Sequence, residues 1–275
     1  MRIDAHQHFW RYSPRTHAWI DDSMAALRRD FLPSDLEPLL RDAGFGGCVA
    51  VQAQQDVAET EWLLALAAEH SFIRGVVGWV DLRAEDVRDQ LARLSSSTKL
   101  KGVRHIVQSE PDDRFMLRPD FMRGIGALGE FGLAYDILIY ARQLPAAAEL
   151  AAAFPEQRFV VDHIAKPEIR ERRTDAWARG IAALARHPNV WCKLSGMVTE
   201  ADWGAWSPDD IAPYIDIVLE AFGPDRLMIG SDWPVCTLAG AYGHVMQVVI
   251  QRIARLSPRE QAAILGENAT QFYRL

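Results

Sequence analysis

With 275 residues, 49% of them hydrophobic and 24% charged, the chain has the composition of an ordinary globular protein large enough to bury a core unaided. A net charge of −7, with no run of Lys or Arg longer than a pair, excludes binding to nucleic acid or to a membrane surface, since both need a dense basic patch. The widely spaced Cys48, Cys192 and Cys236, an N-terminal MRIDAHQHFW without a signal-like apolar core and the lack of any membrane-length apolar run fit a cytoplasmic protein with reduced thiols.

Eight short, nearly continuous apolar runs alternate with helical stretches. Arg2 to Ala5 is the first and leads into His6-Gln7-His8. Residues 11 to 31 read as an irregular insertion rich in Arg, Asp and Trp, suited to a lid over a site. Pro33-Ser34-Asp35 opens a helix with Leu36, Leu39 and Leu40 on one face and Gly44 as its stop. After a second run, Gly47 to Gln52, the stretch Thr60 to His70 repeats Trp62, Leu63, Leu66 and Ala67 at helical spacing. Runs at Gly75 to Val80 and Gly102 to Ile106 flank Ser95-Ser96-Ser97, which reads as a loop. Leu133 to Ile139 precedes a helix predicted from Pro145 to Phe154. Arg158 to Asp162, Val190 to Leu194 and Leu227 to Gly230 complete the eight, and Ser257-Pro258-Arg259-Glu260 has the pattern of a helix capping box.

Runs without polar alternation are what strands covered on both faces look like. Eight of them separated by helices predict a single-domain (β/α)₈ barrel over residues 1–275, a fold of typically ~250 residues. An open doubly wound sheet is the competing architecture. It would place a glycine-rich phosphate turn after the first strand, where this chain has His-Gln-His.

In such a barrel the chemistry sits at the C-terminal ends of the strands. His6 and His8, two apart on an extended chain, point to one face and suit a divalent metal, commonly zinc. The sixth run ends in Asp162-His163 and continues to Lys166, and the eighth ends in Gly230-Ser231-Asp232-Trp233. Gln52, Trp79, Arg104, His105, Lys166 and Trp233, at or just past strand ends, are candidate substrate-binding residues. Ser195 lacks a G-x-S-x-G elbow, which disfavours a serine hydrolase. The three cysteines read as small apolar fillers.

The segments IDAHQHFW, VDHIAKP and GSDWPV resemble the amidohydrolase superfamily, and within it the branch of sugar-lactone hydrolases. The resemblance runs from residue 3 to the ENATQFYRL tail. It implies that His6 and His8 are the first-strand metal pair, His163 the sixth-strand histidine and Asp232 the catalytic aspartate of the last strand. Two positions depart from the family pattern. Arg104-His105-Ile106 stands where binuclear members carry a bridging lysine, and Tyr135-Asp136-Ile137-Leu138 offers no fifth-strand histidine. One zinc held by His6, His8 and Asp232 is therefore expected at most, and whether a metal is required stays open.

The expected reaction is hydrolysis of a sugar-derived lactone. Asp232 serves as base and then acid, a role expected to be helped by desolvation that raises its pKa. Zinc, or else His163, Lys166 and Arg104, polarises the carbonyl. Two alternatives are a metal-dependent decarboxylase of an aromatic or enol acid and a non-catalytic binding barrel.

Overall fold

The computed structural model describes all 275 residues. Eight strands form one sheet in sequential order, and every neighbouring pair is parallel. They are β1 (Ile3–Gln7), β2 (Gly47–Val51), β3 (Ile73–Gly78), β4 (Leu100–His105), β5 (Ala134–Ile137), β6 (Phe159–Val161), β7 (Val190–Leu194) and β8 (Leu227–Ile229). The ring closes just past β8. There the Asp232 N–H donates to the His6 carbonyl at 2.8 Å and the His8 N–H to the Trp233 carbonyl at 2.7 Å. This is the (β/α)₈ barrel that the alternation predicts, with β3 lying two residues earlier than expected and β4 also beginning two residues earlier.

Helices α1 (Pro33–Asp42), α2 (Val57–Glu69), α3 (Val87–Leu94), α4 (Pro119–Leu128), α5 (Leu144–Ala153), α6 (Asp175–Ala185), α7 (Pro208–Phe222) and α8 (Tyr242–Ile253) surround the sheet. The predicted stop of α1 is real, with Gly44 at φ +78° immediately after it. The predicted capping box also forms: Ser257 Oγ accepts from the Glu260 N–H and opens α9 (Pro258–Ala262). The tail helix α10 (Asn268–Tyr273) folds under the barrel.

Inside the ring, side chains lie in layers, as closure of eight strands demands. The lower interior is apolar: Ile3, Ala5, Val49, Val51, Val77, Ala134, Val160 and Met228 form one cluster, with Phe272 and Tyr273 of α10 packed against it. The larger apolar core lies between the strands and the outer helices. Residues 11–31 form a loop over the mouth, tied down by an antiparallel bridge between Trp10 and Phe31 and containing a 3₁₀ turn over Asp22–Leu27.

Candidate active site

Strand alternation carries the chemistry upward from the apolar layer. Two residues above Gly102, Ala134, Val160 and Trp191 stand Arg104, Asp136, Asp162 and Lys193, all essentially inaccessible to solvent. These four ionisable groups are paired within the ring. Lys193 Nζ lies 2.5 Å from Asp136 Oδ2 and 2.9 Å from Asp162 Oδ1. Arg104 Nη1 donates to Asp162 Oδ2 at 2.9 Å, and its Nη2 to the carbonyl and side chain of Gln52. Tyr273 donates to Asp136 from below at 2.7 Å. Charges this deep survive only when matched and hydrogen-bonded.

On β1 the simple alternation breaks. Its register against β2 slips between Asp4 and Gln7, a bulge that leaves Ala5 in the interior and still turns His6 and His8 toward the mouth. Asp4 points outward and receives the Ser231 N–H, the Ser231 hydroxyl and the Tyr242 hydroxyl, which fixes the start of the β8 loop against β1. Burial raises the Asp4 pKa to about 6 against the pull of these donors.

The two imidazoles are each held by Nδ1. His8 Nδ1 is 2.8 Å from the Val51 carbonyl, and His6 Nδ1 lies 3.3 Å from Asp162 Oδ1 and 3.2 Å from Lys193 Nζ. Their Nε2 atoms are thereby aimed at one point, 3.2 Å apart. Asp232 completes the cluster, its Oδ1 3.2 Å from His8 Nε2 and 3.8 Å from the Nε2 of both His6 and His163.

His163 opens a run of four non-glycine residues in left-handed conformation, His163, Ile164, Ala165 and Lys166, with φ of 52°, 48°, 59° and 46°. Such residues each cost on the order of 1 kcal/mol, so neighbouring structure must impose the turn. Trp177 Nε1 clamps the Ile164 carbonyl at 2.7 Å, and Ser195 Oγ holds His163 Nδ1 at 2.9 Å. Gly196 makes room for the ring, because a Cβ there would sit 2.4 Å from His163 Nδ1.

Burial drives the His163 pKa down to about 4 and holds His6 well below the usual imidazole range. For Asp232 burial works upward, but the field of His163, the hydrogen bond from His8 and the His6 and His8 rings outweigh it and hold the carboxyl low. This corrects the sequence expectation that desolvation would raise Asp232. For Asp162 burial is likewise overcome, by Lys193, His6 and Arg104, and the carboxyl stays ionised. At neutral pH the mouth thus presents unprotonated His6 and His163 rings beside a carboxylate.

That donor set fits one divalent cation. Tetrahedral zinc with bonds of ~2.0–2.2 Å places its ligands roughly 3.4 Å apart, and the His6–His8, His8–Asp232 and His6–Asp232 separations are 3.2, 3.2 and 3.8 Å. The Nδ1 anchors supply the outer contacts that orient metal-binding imidazoles. A second grouping, His6, Asp162 and His163, is less apt, because both Asp162 oxygens are already engaged by Lys193 and Arg104. Arg104 Nη1 also lies 3.3 Å from His6 Nε2, which places a fixed positive charge beside the cluster.

The cavity above these groups has a volume of about 840 Å³. Arg104, His163, Asp232 and His8 line its depth, and Trp10 just before the covering loop, Trp19 and Met24 within it, Tyr140 and Trp203 form its walls. Lys166 lies in the wall, 3.1 Å from Glu200. Burial opposes its charge, yet Glu200, Asp232 and Tyr140 raise its pKa.

Of the residues singled out from sequence, His6, His8, Arg104, His163, Lys166 and Asp232 converge here, and Gln52 supports Arg104 from beneath. Trp79, His105 and Trp233 are placed elsewhere. His105 follows Arg104 on β4 and therefore faces outward, stacked on Phe115 with centroids 5.0 Å apart, bonded to Glu110 and capped by Trp79 Nε1. Trp233 is buried against Phe9 and Phe31. The sequence alone assigns no role to Asp136, Lys193 or Glu59 and weighs Ser195 only as a nucleophile, whereas Ser195 holds His163; Glu59 is a residue of α2 whose carboxyl accepts from the Ala53 and Gln54 N–H groups at the cavity rim.

The chain as a whole is similar to known proteins. The family model described as amidohydrolase matches residues 3–275. A protein of Burkholderia multivorans named L-fucono-1,5-lactonase is 43% identical, covering 100% of this chain and 96% of its own. An L-rhamnono-gamma-lactonase of Scheffersomyces stipitis is 26% identical over 56% of this chain and 52% of its own. A crystal structure of a Burkholderia multivorans amidohydrolase with bound zinc superposes with a TM-score of 0.97 at 42% identity, covering 100% of this chain and 99% of that one.

Proposed function

Because this chain belongs to the amidohydrolase family, we infer from the site and its relatives that it is a hydrolase opening a sugar-derived lactone to the sugar acid, with L-fucono-1,5-lactone the first substrate to test. The observation that carries this reading is the full-length, 43% identity to a lactonase of that name.

Lactone opening needs water attack on an ester carbonyl, a counter-charge for the oxyanion and a proton for the leaving alkoxide. Asp232 sits at the floor of the cavity as an ionised acceptor, 5% exposed, and orients the attacking water. It takes the water proton as the water oxygen bonds to the carbonyl carbon and returns it to the ring oxygen as the bond between that carbon and the ring oxygen breaks. A carboxylate held this low is a weak base, so the scheme relies on an activated ester and on positive potential near the carbonyl. Arg104 and Lys166 are the cations bordering the cavity, and since each is paired, with Asp162 and with Glu200, they contribute by donating N–H groups to the oxyanion more than by net charge. His163, unprotonated and fixed by Ser195, is assigned the hydrogen bond to the reacting oxygens. Zinc, when bound by His6, His8 and Asp232, would add Lewis-acid polarisation.

The aromatic walls suit the ring faces of a small sugar, and three buried free cysteines suit a reducing cytoplasm. No helix is long and apolar enough to cross a membrane. The decarboxylase alternative draws no support from the fifth strand, where Asp136 is committed to Lys193.

The test is acid release from a panel of aldonolactones, with and without chelator, for the parent protein and Asp232→Asn. Turnover of one or two lactones with a roughly 10²–10⁴-fold loss in the variant is expected. A folded protein that opens no lactone, or a variant that retains full rate, would overturn the reading. Loss of rate on chelation that zinc restores would make the metal a requirement.

A further inference from the structure

The opposite end of the barrel holds a second cavity, of about 630 Å³, which lactone chemistry does not use. The starts of β1, β3 and β4 and the underside of α10 enclose it. Arg74, Lys99 and Lys101 project there beside Thr98 and Gln271. The polar contacts of these three cations are carbonyls and one thioether: Arg74 to Ser71 O and Met1 Sδ, Lys99 to Ile73 O at 2.7 Å, Lys101 to Arg274 O at 2.8 Å. Arg158 reinforces the same end and bonds only to the Phe272 and Gly132 carbonyls. Glu267 and Leu275 share the rim without forming an ion pair with any of them.

This is not a shortage of partners. The chain carries 37 acidic against 30 basic residues, and many surface arginines elsewhere are ion-paired, as in Arg88–Glu130, Arg114–Glu149 and Arg252–Asp216, although single ones such as Arg41 and Arg186 are not. On the floor, cations face cations. Burial and Arg74 depress the Lys99 pKa, and burial, Lys99, Arg158 and Arg274 depress that of Lys101. A concave, half-dry surface that holds like charges together gains most from a multivalent anion, which cancels several repulsions at once. Each lysine amine has three donors and spends one on a carbonyl.

We propose that the floor cavity is a binding site for a phosphate oxyanion, free or carried by a small molecule, held by Arg74, Lys99 and Lys101 with Thr98 and Gln271 as neutral donors. The alternative is structural, since the floor of such barrels usually serves stability and its cations complement the C-termini of the surrounding helices.

Calorimetric titration with inorganic phosphate, glucose 6-phosphate and glucose at fixed ionic strength decides between them, using the parent protein, Arg74→Gln, the Lys99→Gln/Lys101→Gln double variant and His8→Ala. The expected result is saturable binding of one or both phosphates and none of glucose. That binding weakens about tenfold or more in the floor variants, remains in His8→Ala, and leaves kcat/KM on the lactone unchanged in the floor variants. Tighter binding of glucose 6-phosphate than of phosphate assigns a carried group, and the reverse assigns the free ion. No saturable binding, binding that survives in both floor variants, or binding lost in His8→Ala instead would overturn the proposal. Arg74→Gln keeps the test decisive should the double variant fail to fold.

Discussion

The two ends of the barrel treat charge in opposite ways. At the mouth Arg104, Lys193, Asp136 and Asp162 are dry and cancel one another within hydrogen-bonding distance. At the floor Arg74, Lys99 and Lys101 are only partly buried and form no ion pair, although Glu267 shares the rim. The difference follows from the cost of desolvation. A fully buried ion must have its partner built in, whereas one that keeps water can leave its partner to be supplied later. Breaking the built-in pairs should therefore be severe, and disturbing the unpaired ones mild.

The largest effect is expected at Lys193. Lys193→Met removes the cation shared by Asp136, Asp162 and His6 and leaves two buried carboxylates with too little counter-charge. A loss of about 3–5 kcal/mol is expected in denaturant unfolding, together with a fall in kcat as His6 loses its support. A variant as stable and active as the parent would show that the mouth is not held together by this pairing.

Lys193 is also instructive about what a sequence displays. His6, His8, His163 and Asp232 were legible because a polar residue ending an apolar run is conspicuous. Asp136, Asp162 and Lys193 lie in equally apolar runs, and the sign was period two: Ala134 then Asp136, Val160 then Asp162, Trp191 then Lys193. The same rule separates Arg104 from His105, since adjacent residues on a regular strand cannot both face the interior. The bulge in β1, the left-handed turn from His163 to Lys166 and the reach of Glu59 to the rim depend on tertiary contacts, and no local pattern announces them. The barrel itself was readable because its strands and helices each follow from short-range periodicity.

Glu59 sharpens the comparison, because it is a buried mouth carboxyl without a cationic partner. Burial, only partly offset by the Ala53 and Gln54 N–H groups, raises its pKa to about 8, so near neutrality it keeps its proton instead of finding a counter-ion. The folded-state value lies above the ordinary 4.5. The folded protein therefore binds the proton more tightly than the unfolded chain, and this contribution to stability is fully present below about pH 4.5 and is lost as pH rises toward 8. Stability measured against a Glu59→Gln variant, which cannot ionise, should fall with pH across that window by up to about 1.4 kcal/mol per unit. Parallel pH curves for the two proteins would show that Glu59 is charged in the folded state.

The smallest effect belongs to the floor. Lys101→Met deletes a hydrogen bond to the Arg274 carbonyl but also removes one of several mutually repelling cations. The two terms oppose each other, so the net change in unfolding free energy is expected to stay within about 0.5 kcal/mol. Its salt dependence is more telling than its size. The lost repulsion is screened by ions and the lost hydrogen bond is largely not, so the variant should compare best with the parent at low ionic strength and lose ground as salt is added. A penalty of several kcal/mol independent of salt, matching Lys193→Met, would mean that both ends of the barrel are built on the same principle and that the floor cations hold the tail helix and wait for no ligand.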